Sequence, residues 1–235
     1  MLPDPNPRRG MIARHVIPLL LLSTLCTPSL AQDAGDELGS WLMYFGQNRI
    51  GARSSIHTEA QVRFWETAQN YNQLLIRVGY NWDINSQNMV TGGYAFINTE
   101  PFTNDGSESN EHRLWQQFIQ RADAGRVDFE HRFRLEERWI KDNSGTEFEG
   151  RARYRFLLAI NLGNPERSKS YISLYDEIFI NLQGEHFDQN RLYGAYGYRV
   201  DQRSRFEVGF LWNSFPDEAR GRLQFAYFFS AGNHR

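Results

Sequence analysis

A hydroxyl, an imidazole and a carboxylate stand at alternate positions in the stretch SSIHTEAQVRF: Ser55, His57 and Glu59. These are the groups of a serine hydrolase: a nucleophile, a base, and an acid that orients the base. Read as a strand, the stretch places all three on one face, with residues two apart separated by roughly 6.5 to 7 Å. That step is too long for the direct hydrogen bonds of a triad, so a working site needs a partner from a second strand, such as Ser173. Without one, the three are ordinary polar residues of a strand face, and no catalytic residue is assigned.

The denser constellation is charged. RVDFEHRFRLEERW, residues 126–139, carries Arg126, Asp128, Glu130, Arg132, Arg134, Glu136 and Arg138 at every second position. Between them stand Val127, Phe129, His131, Phe133, Leu135, Glu137 and Trp139. Strand side chains alternate between faces, so one face is wholly charged and the other mostly apolar. A hairpin at KDNSG would set Arg132, Arg134, Glu136 and Arg138 against Arg151, Arg153 and Arg155 of the next segment. So many arginines side by side need acidic partners from elsewhere: Glu59, Glu130, Glu177 or a bound anion. Arg63, Arg77 and Arg191, on other segments, join them in one expected interior charge network. Two readings stay open: a plug of structural ion pairs, or an arginine-lined, anion-selective pore.

No metal or cofactor is expected. His131 stands alone between Phe129 and Phe133. DNSG at 142–145 starts like a calcium loop but lacks the spaced carboxylates and terminal glutamate, so it reads as a turn. The acidic loop NDGSESNE could gather divalent cations that bridge lipopolysaccharide; its plain reading is a solvated loop.

These residues need strands to hold them, and the chain supplies strands. Period-2 segments recur from Trp41 onward, about eleven in all, many of them 10 to 14 residues long. SIHTEAQVRFW sets Ile56, Thr58, Ala60, Val62 and Phe64 against Ser55, His57, Glu59, Gln61 and Arg63. QLLIRVGYNW sets Leu74, Ile76, Val78, Tyr80 and Trp82 against Gln73, Arg77 and Asn81. Turn-like linkers such as TAQN, RADAGR and KDNSGT separate the segments, and no helical period interrupts them.

Residues 1–31 stand apart. Arg8, Arg9 and Arg14 precede the apolar VIPLLLLSTLC, and PSLA before Gln32 has the small residues of a cleavage site: the layout of a secretory signal, with Met11 as an alternative start. Cys26 follows the bulky Leu25, which does not suit a lipoprotein site, and is assigned to the cleaved segment. Residues 32–235 then form one domain without cysteine. Setting aside Asp4 and the three arginines leaves 23 basic and 27 acidic residues, a formal balance of −4 that gives no nucleic-acid footprint. Lys141 and Lys169 are the lysines of this region; arginine, whose planar fork suits packed ion-pair networks, does the rest.

Two architectures produce such alternation. A soluble sandwich or barrel keeps apolar residues inside; a transmembrane barrel turns them out to lipid and keeps polar ones in its lumen. Three features favour the second. The segments reach the roughly 9 to 11 residues that a tilted membrane strand needs. Trp41, Trp65, Trp82, Trp139 and Trp212 lie near segment ends, where aromatic girdles form. The last segment, LQFAYFF, is aromatic.

EHRLWQQF, HRFRLEERW, RARYRFLLAI, YDEIFINL, FDQNRLYGAYGYRV and FEVGFLW, in this order and spacing, resemble the bacterial family labelled domain of unknown function 2490, from Trp41 to Phe229. The resemblance implies a Gram-negative outer-membrane β-barrel with a cleaved signal, and it brings no activity, substrate or catalytic residue. Even strand numbers are usual in such barrels. The expectation is therefore an antiparallel up-and-down transmembrane β-barrel of about 12 strands, with 10 as the lower count. It would be placed in the cell outer membrane as a structural or narrow pore component. Its expected partners are outer-membrane lipid and lipopolysaccharide, the barrel-assembly machinery and a small anionic solute. The alternatives are a lipid-modifying outer-membrane hydrolase and a soluble periplasmic β-barrel.

Overall fold

A computed structural model describes residues 37–102, 106–164 and 168–232 of the chain. The segment read as an export signal lies outside the described residues, as does the tail beyond Gly232.

Unbroken period-2 alternation leaves the backbone one way to bury one face of each segment, and the described residues form eleven strands and no helix. These are β1 (Gly39–Arg49), β2 (Ser54–Glu66), β3 (Gln69–Asp83), β4 (Asn88–Thr99), β5 (Ser109–Ala124) and β6 (Val127–Lys141). They continue as β7 (Thr146–Asn161), β8 (Ser170–Asn181), β9 (Phe187–Arg199), β10 (Ser204–Ser214) and β11 (Ala219–Ala231). Each strand pairs with the next, and β1 pairs with β11, closing one barrel. The expected all-β barrel of about 12 strands is thus a closed barrel of eleven.

Closure resolves the parity question. In a meander of eleven, the first and last strands run the same way, so the seam must be parallel. It pairs Gly39 with Arg222 at one end and Asn48 with Ala231 at the other. Parallel pairing is slightly weaker per residue. Aromatic contacts reinforce it on both faces: Phe45 and Phe228 stack at 4.8 Å inside, and Tyr44 and Tyr227 meet at 6.1 Å outside. Such pairs add roughly 0.5–1.5 kcal/mol each beyond their buried area.

The faces are inverted relative to a soluble barrel. On β6, Arg134 and Glu136 are 5% and 1% exposed, whereas Phe133 and Leu135 are 50% and 51% exposed. On β3, Arg77 and Asn81 are buried while Ile76, Val78 and Tyr80 face out. Several polar groups on the outer face are paired with one another. Asn190 donates to Asp176 at 2.6 Å, His131 Nδ1 meets the Tyr154 hydroxyl at 2.9 Å, and His112 meets that of Tyr94 at 2.6 Å. Trp82, Trp139 and Trp212 are outward and exposed, as a girdle requires. Trp41 and Trp65 are not part of it: both line the interior, Trp41 at 6% exposure between its cross-strand neighbours Arg63 and Gln224, and Trp65 two residues beyond Arg63 on the same strand.

Glycine makes room for the most deeply buried tryptophan. Gly79 of β3 pairs directly with Gly93 of β4, and a Cβ on either would meet the Trp115 ring at 2.7 Å. Trp115 therefore packs against this backbone, 1% exposed. At the β6–β7 turn, Asp142 accepts hydrogen bonds from the Ser144 hydroxyl and the Ser144 and Gly145 amides. These hold its carboxyl below the ordinary range. The DNSG motif is a side-chain-capped turn.

Candidate functional site

The interior is a charged lumen. Register places Arg132 opposite Arg155, Arg134 opposite Arg153, and Glu136 opposite Arg151, as the KDNSG hairpin predicts. Like charges thus face each other across two rungs, and the structure separates their debts to different carboxylates. Glu136 sits at the centre. Arg151 donates to its Oε2 through Nε at 3.0 Å and Nη2 at 2.7 Å. Its Oε1 accepts from Arg153 at 2.7 Å and Arg113 at 3.3 Å, with Arg134 at 3.7 Å. Arg153 also turns Nε and Nη2 to Glu177, which takes Arg132 at 2.6 Å as well.

Glu130 receives Arg155 at 2.6 Å and Arg121 at 3.0 Å. Arg138 reaches Glu111 through two nitrogens at 3.0 and 2.9 Å and also pairs with Glu149. Every lumen arginine of β5 to β8 is answered by a carboxylate. Removing one partner from such a buried set leaves an uncompensated charge, so the set holds together as a unit. Asp128 lies at the rim of this wall, where the Asn161 amide approaches it at 3.5 Å. Across the lumen, Glu59 accepts from Arg77 at 2.8 and 3.0 Å.

The remaining wall is different. Arg63 donates to the side chains of Gln61 and Gln73 and lies 3.8 Å over the Trp41 ring. Arg191 donates to Gln189 and lies over Trp41 at 5.1 Å and Phe179 at 4.6 Å. Arg199 stacks on Tyr171 and Arg205 on Phe228. None of these four has an ion pair among the described residues. The cavity enclosed by both walls measures about 670 Å³. Its lining reaches from Trp65 and Phe215 at one rim to Asp128 and Arg199 at the other. Fifteen arginines line it against six carboxylates, with Glu136 behind them as a seventh. The lumen is therefore electropositive, although the chain as a whole is not.

The family model described as a protein of unknown function (DUF2490) matches residues 38–224. The chain belongs to this family. The match runs from the residue before β1 into β11 and so takes in both walls of the lumen. No curated protein and no solved structure matches the chain.

The hydroxyl, imidazole and carboxylate of β2 do not assemble as a triad. His57 Nε2 does reach Glu59 Oε2, at 3.1 Å. Contrary to the expectation from backbone spacing, this i and i+2 pair is in direct contact, because two long side chains lean together across the step. Ser55 is a different matter. Its Oγ accepts from Asn81 at 3.0 Å and Gln47 at 3.3 Å, and it is 1% exposed. Sequence reasoning passed over Trp115, which carries Arg77 at 5.4 Å and Arg134 at 4.9 Å on its ring. The signal was the glycine pair opposite it. It also passed over Glu207, which accepts from the hydroxyls of Tyr171 at 2.7 Å and Tyr193 at 3.4 Å. Only register across three strands reveals that contact.

Proposed function

We propose that this DUF2490 chain spans the outer membrane of a Gram-negative cell, reached through a cleaved N-terminal signal, and that its lumen is a narrow passage preferring small anions. One observation carries the reading: polar and charged side chains are buried inside a barrel whose outer face is exposed apolar surface. In water such a continuous apolar belt is an aggregation liability; in lipid it is the required surface. Strands of 11 to 16 residues meet or exceed the roughly 9 to 11 that cross a hydrocarbon core at a tilt. Lipid and lipopolysaccharide are then the outer-face partners, and the barrel-assembly machinery the insertion partner. The arginine excess of the lumen supports the anion preference, since guanidinium-lined pores favour anions.

Fractionation and planar-bilayer recording test both levels. The expected result is recovery with the outer membrane, discrete conductance steps, and a reversal potential displaced toward chloride in a salt gradient. Recovery free in the periplasm overturns the membrane reading. Membrane recovery without steps above the lipid baseline overturns the passage and leaves a barrel plugged by its own ion pairs.

A further inference from the structure

We infer that the lumen carries an oxyanion seat where Arg63 and Arg191 meet on Trp41, built for a phosphate- or carboxylate-type group. The inference deepens the proposed anion passage and rests on that reading for its biological use, though not for its chemistry.

Two guanidinium groups share one indole. Their central carbons lie 3.8 and 5.1 Å from the Trp41 ring centre, so they are no farther apart than those two distances combined. Like charges held this close repel, and in this lumen the usual remedy is a carboxylate, as the β5–β8 wall demonstrates. Here neutral amides replace it. Gln61 and Gln73 take three of Arg63's five N–H donors, and Gln189 takes one of Arg191's. The amides orient both forks without cancelling their charge, and both forks line the open cavity. A planar fork with free N–H pairs matches the two oxygens of a phosphate or carboxylate better than a spherical halide.

A separate observation points the same way. Gln224 is the direct cross-strand neighbour of Trp41 on the parallel seam, lines the same cavity and is 2% exposed. Its Nε2 has no hydrogen-bond partner. Buried amide donors are nearly always satisfied, so a donor left over next to the ring that two arginines without an ion pair share marks a place for an acceptor oxygen.

The test is calorimetric titration of the folded full chain in detergent with inorganic phosphate, in a chloride buffer. The expected result is saturable binding that weakens at least tenfold in Arg191→Gln and in Arg63→Gln. Arg191→Lys, which keeps the charge but not the fork, should fall between wild type and Arg191→Gln. Arg53→Gln, at an exposed turn of the opposite rim, should stay within twofold of wild type and control for general charge loss. Far-UV circular dichroism confirms that each variant is folded. Acetate competing with phosphate assigns a general oxyanion seat; phosphate binding untouched by acetate assigns a phosphate one. Absence of saturable binding by wild type, or binding unchanged in both glutamine variants, overturns the seat. Bilayer conductance is read separately, so a chain that conducts without binding loses only the seat, and one that binds without conducting loses only the passage.

Discussion

The two walls of the lumen use the same residue in opposite ways. From β5 to β8, eight arginines close on carboxylates, with Glu136, Glu177 and Glu130 each shared between neighbours. From β9 through the seam to β2, Arg63, Arg191, Arg199 and Arg205 rest on aromatic rings and amides, while Arg220 near the rim pairs with Glu218. A closed ion pair cancels most of its own field, whereas a guanidinium on a ring keeps its charge while burying its flat face. One wall therefore fixes geometry and the other supplies potential. An electropositive lumen inside a slightly acidic protein follows from that division of labour.

The difference between the walls is largest when one charge is removed from each without changing shape. Glu136→Gln keeps the volume but leaves the surrounding guanidiniums short of a negative partner, and breaking a buried set in this way costs about 3–5 kcal/mol. Arg191→Gln removes a cation that has no ion pair and relieves repulsion at Trp41, so its effect on stability should stay within about 1 kcal/mol. Urea unfolding in detergent, followed by tryptophan fluorescence, measures both. Equal losses would mean that the walls do not differ.

A second perturbation acts at Trp115 of β5, where the closed wall meets β3 and β4. Trp115 carries both Arg77 and Arg134 on its ring, and it lies where Gly79 and Gly93 make room. A side chain at Gly93 meets the Val78 carbonyl oxygen at 2.3 Å as well as the ring. Backbone cannot yield as a flexible side chain does, so Gly93→Val should cost about 1–3 kcal/mol. It should also red-shift the tryptophan emission as Trp115 is lifted from its place. Gly92 is the matched control: its Cβ would meet nothing within 4 Å, and Gly92→Ala should leave emission unchanged.

Which of this was legible in sequence follows from the range of each interaction. Face assignment on β2, β3, β6 and β7 needs only parity, and every second residue from Arg126 to Arg138 announces it. The pairing of Arg132 with Arg155 needs only a short hairpin. The membership of Glu177 in the same cluster needs the register of a third strand, and the Glu207–Tyr171 contact spans three strands. Neither register is encoded locally. Position near a segment end does not make a girdle: Trp65 shares the parity of Arg63 and lies inside, and Trp41 lies inside because the registers of β2 and β11 set it between Arg63 and Gln224. The odd strand count was legible as a number. What it meant was not, since a parallel seam is a property of two segments nearly the whole chain apart.

The smallest effect expected is at Ser55, which lies beside the Glu59–Arg77 pair and belongs with the closed wall in character. A nucleophile needs a base at its hydroxyl, but Ser55 Oγ is already held by two amide donors, and His57 Nε2 is held by Glu59. Both lone pairs of Oγ are thus engaged, no hydrogen bond joins its hydroxyl to His57 among the described residues, and the residue is sealed off from the cavity. Purified protein incubated with phospholipid or lipid A should therefore release no fatty acid, and Ser55→Ala should cost only about 1 kcal/mol, the worth of its hydrogen bonds. Release that disappears in both Ser55→Ala and His57→Ala would show that this strand rearranges on meeting lipid. In that case β2 would carry chemistry belonging to neither wall.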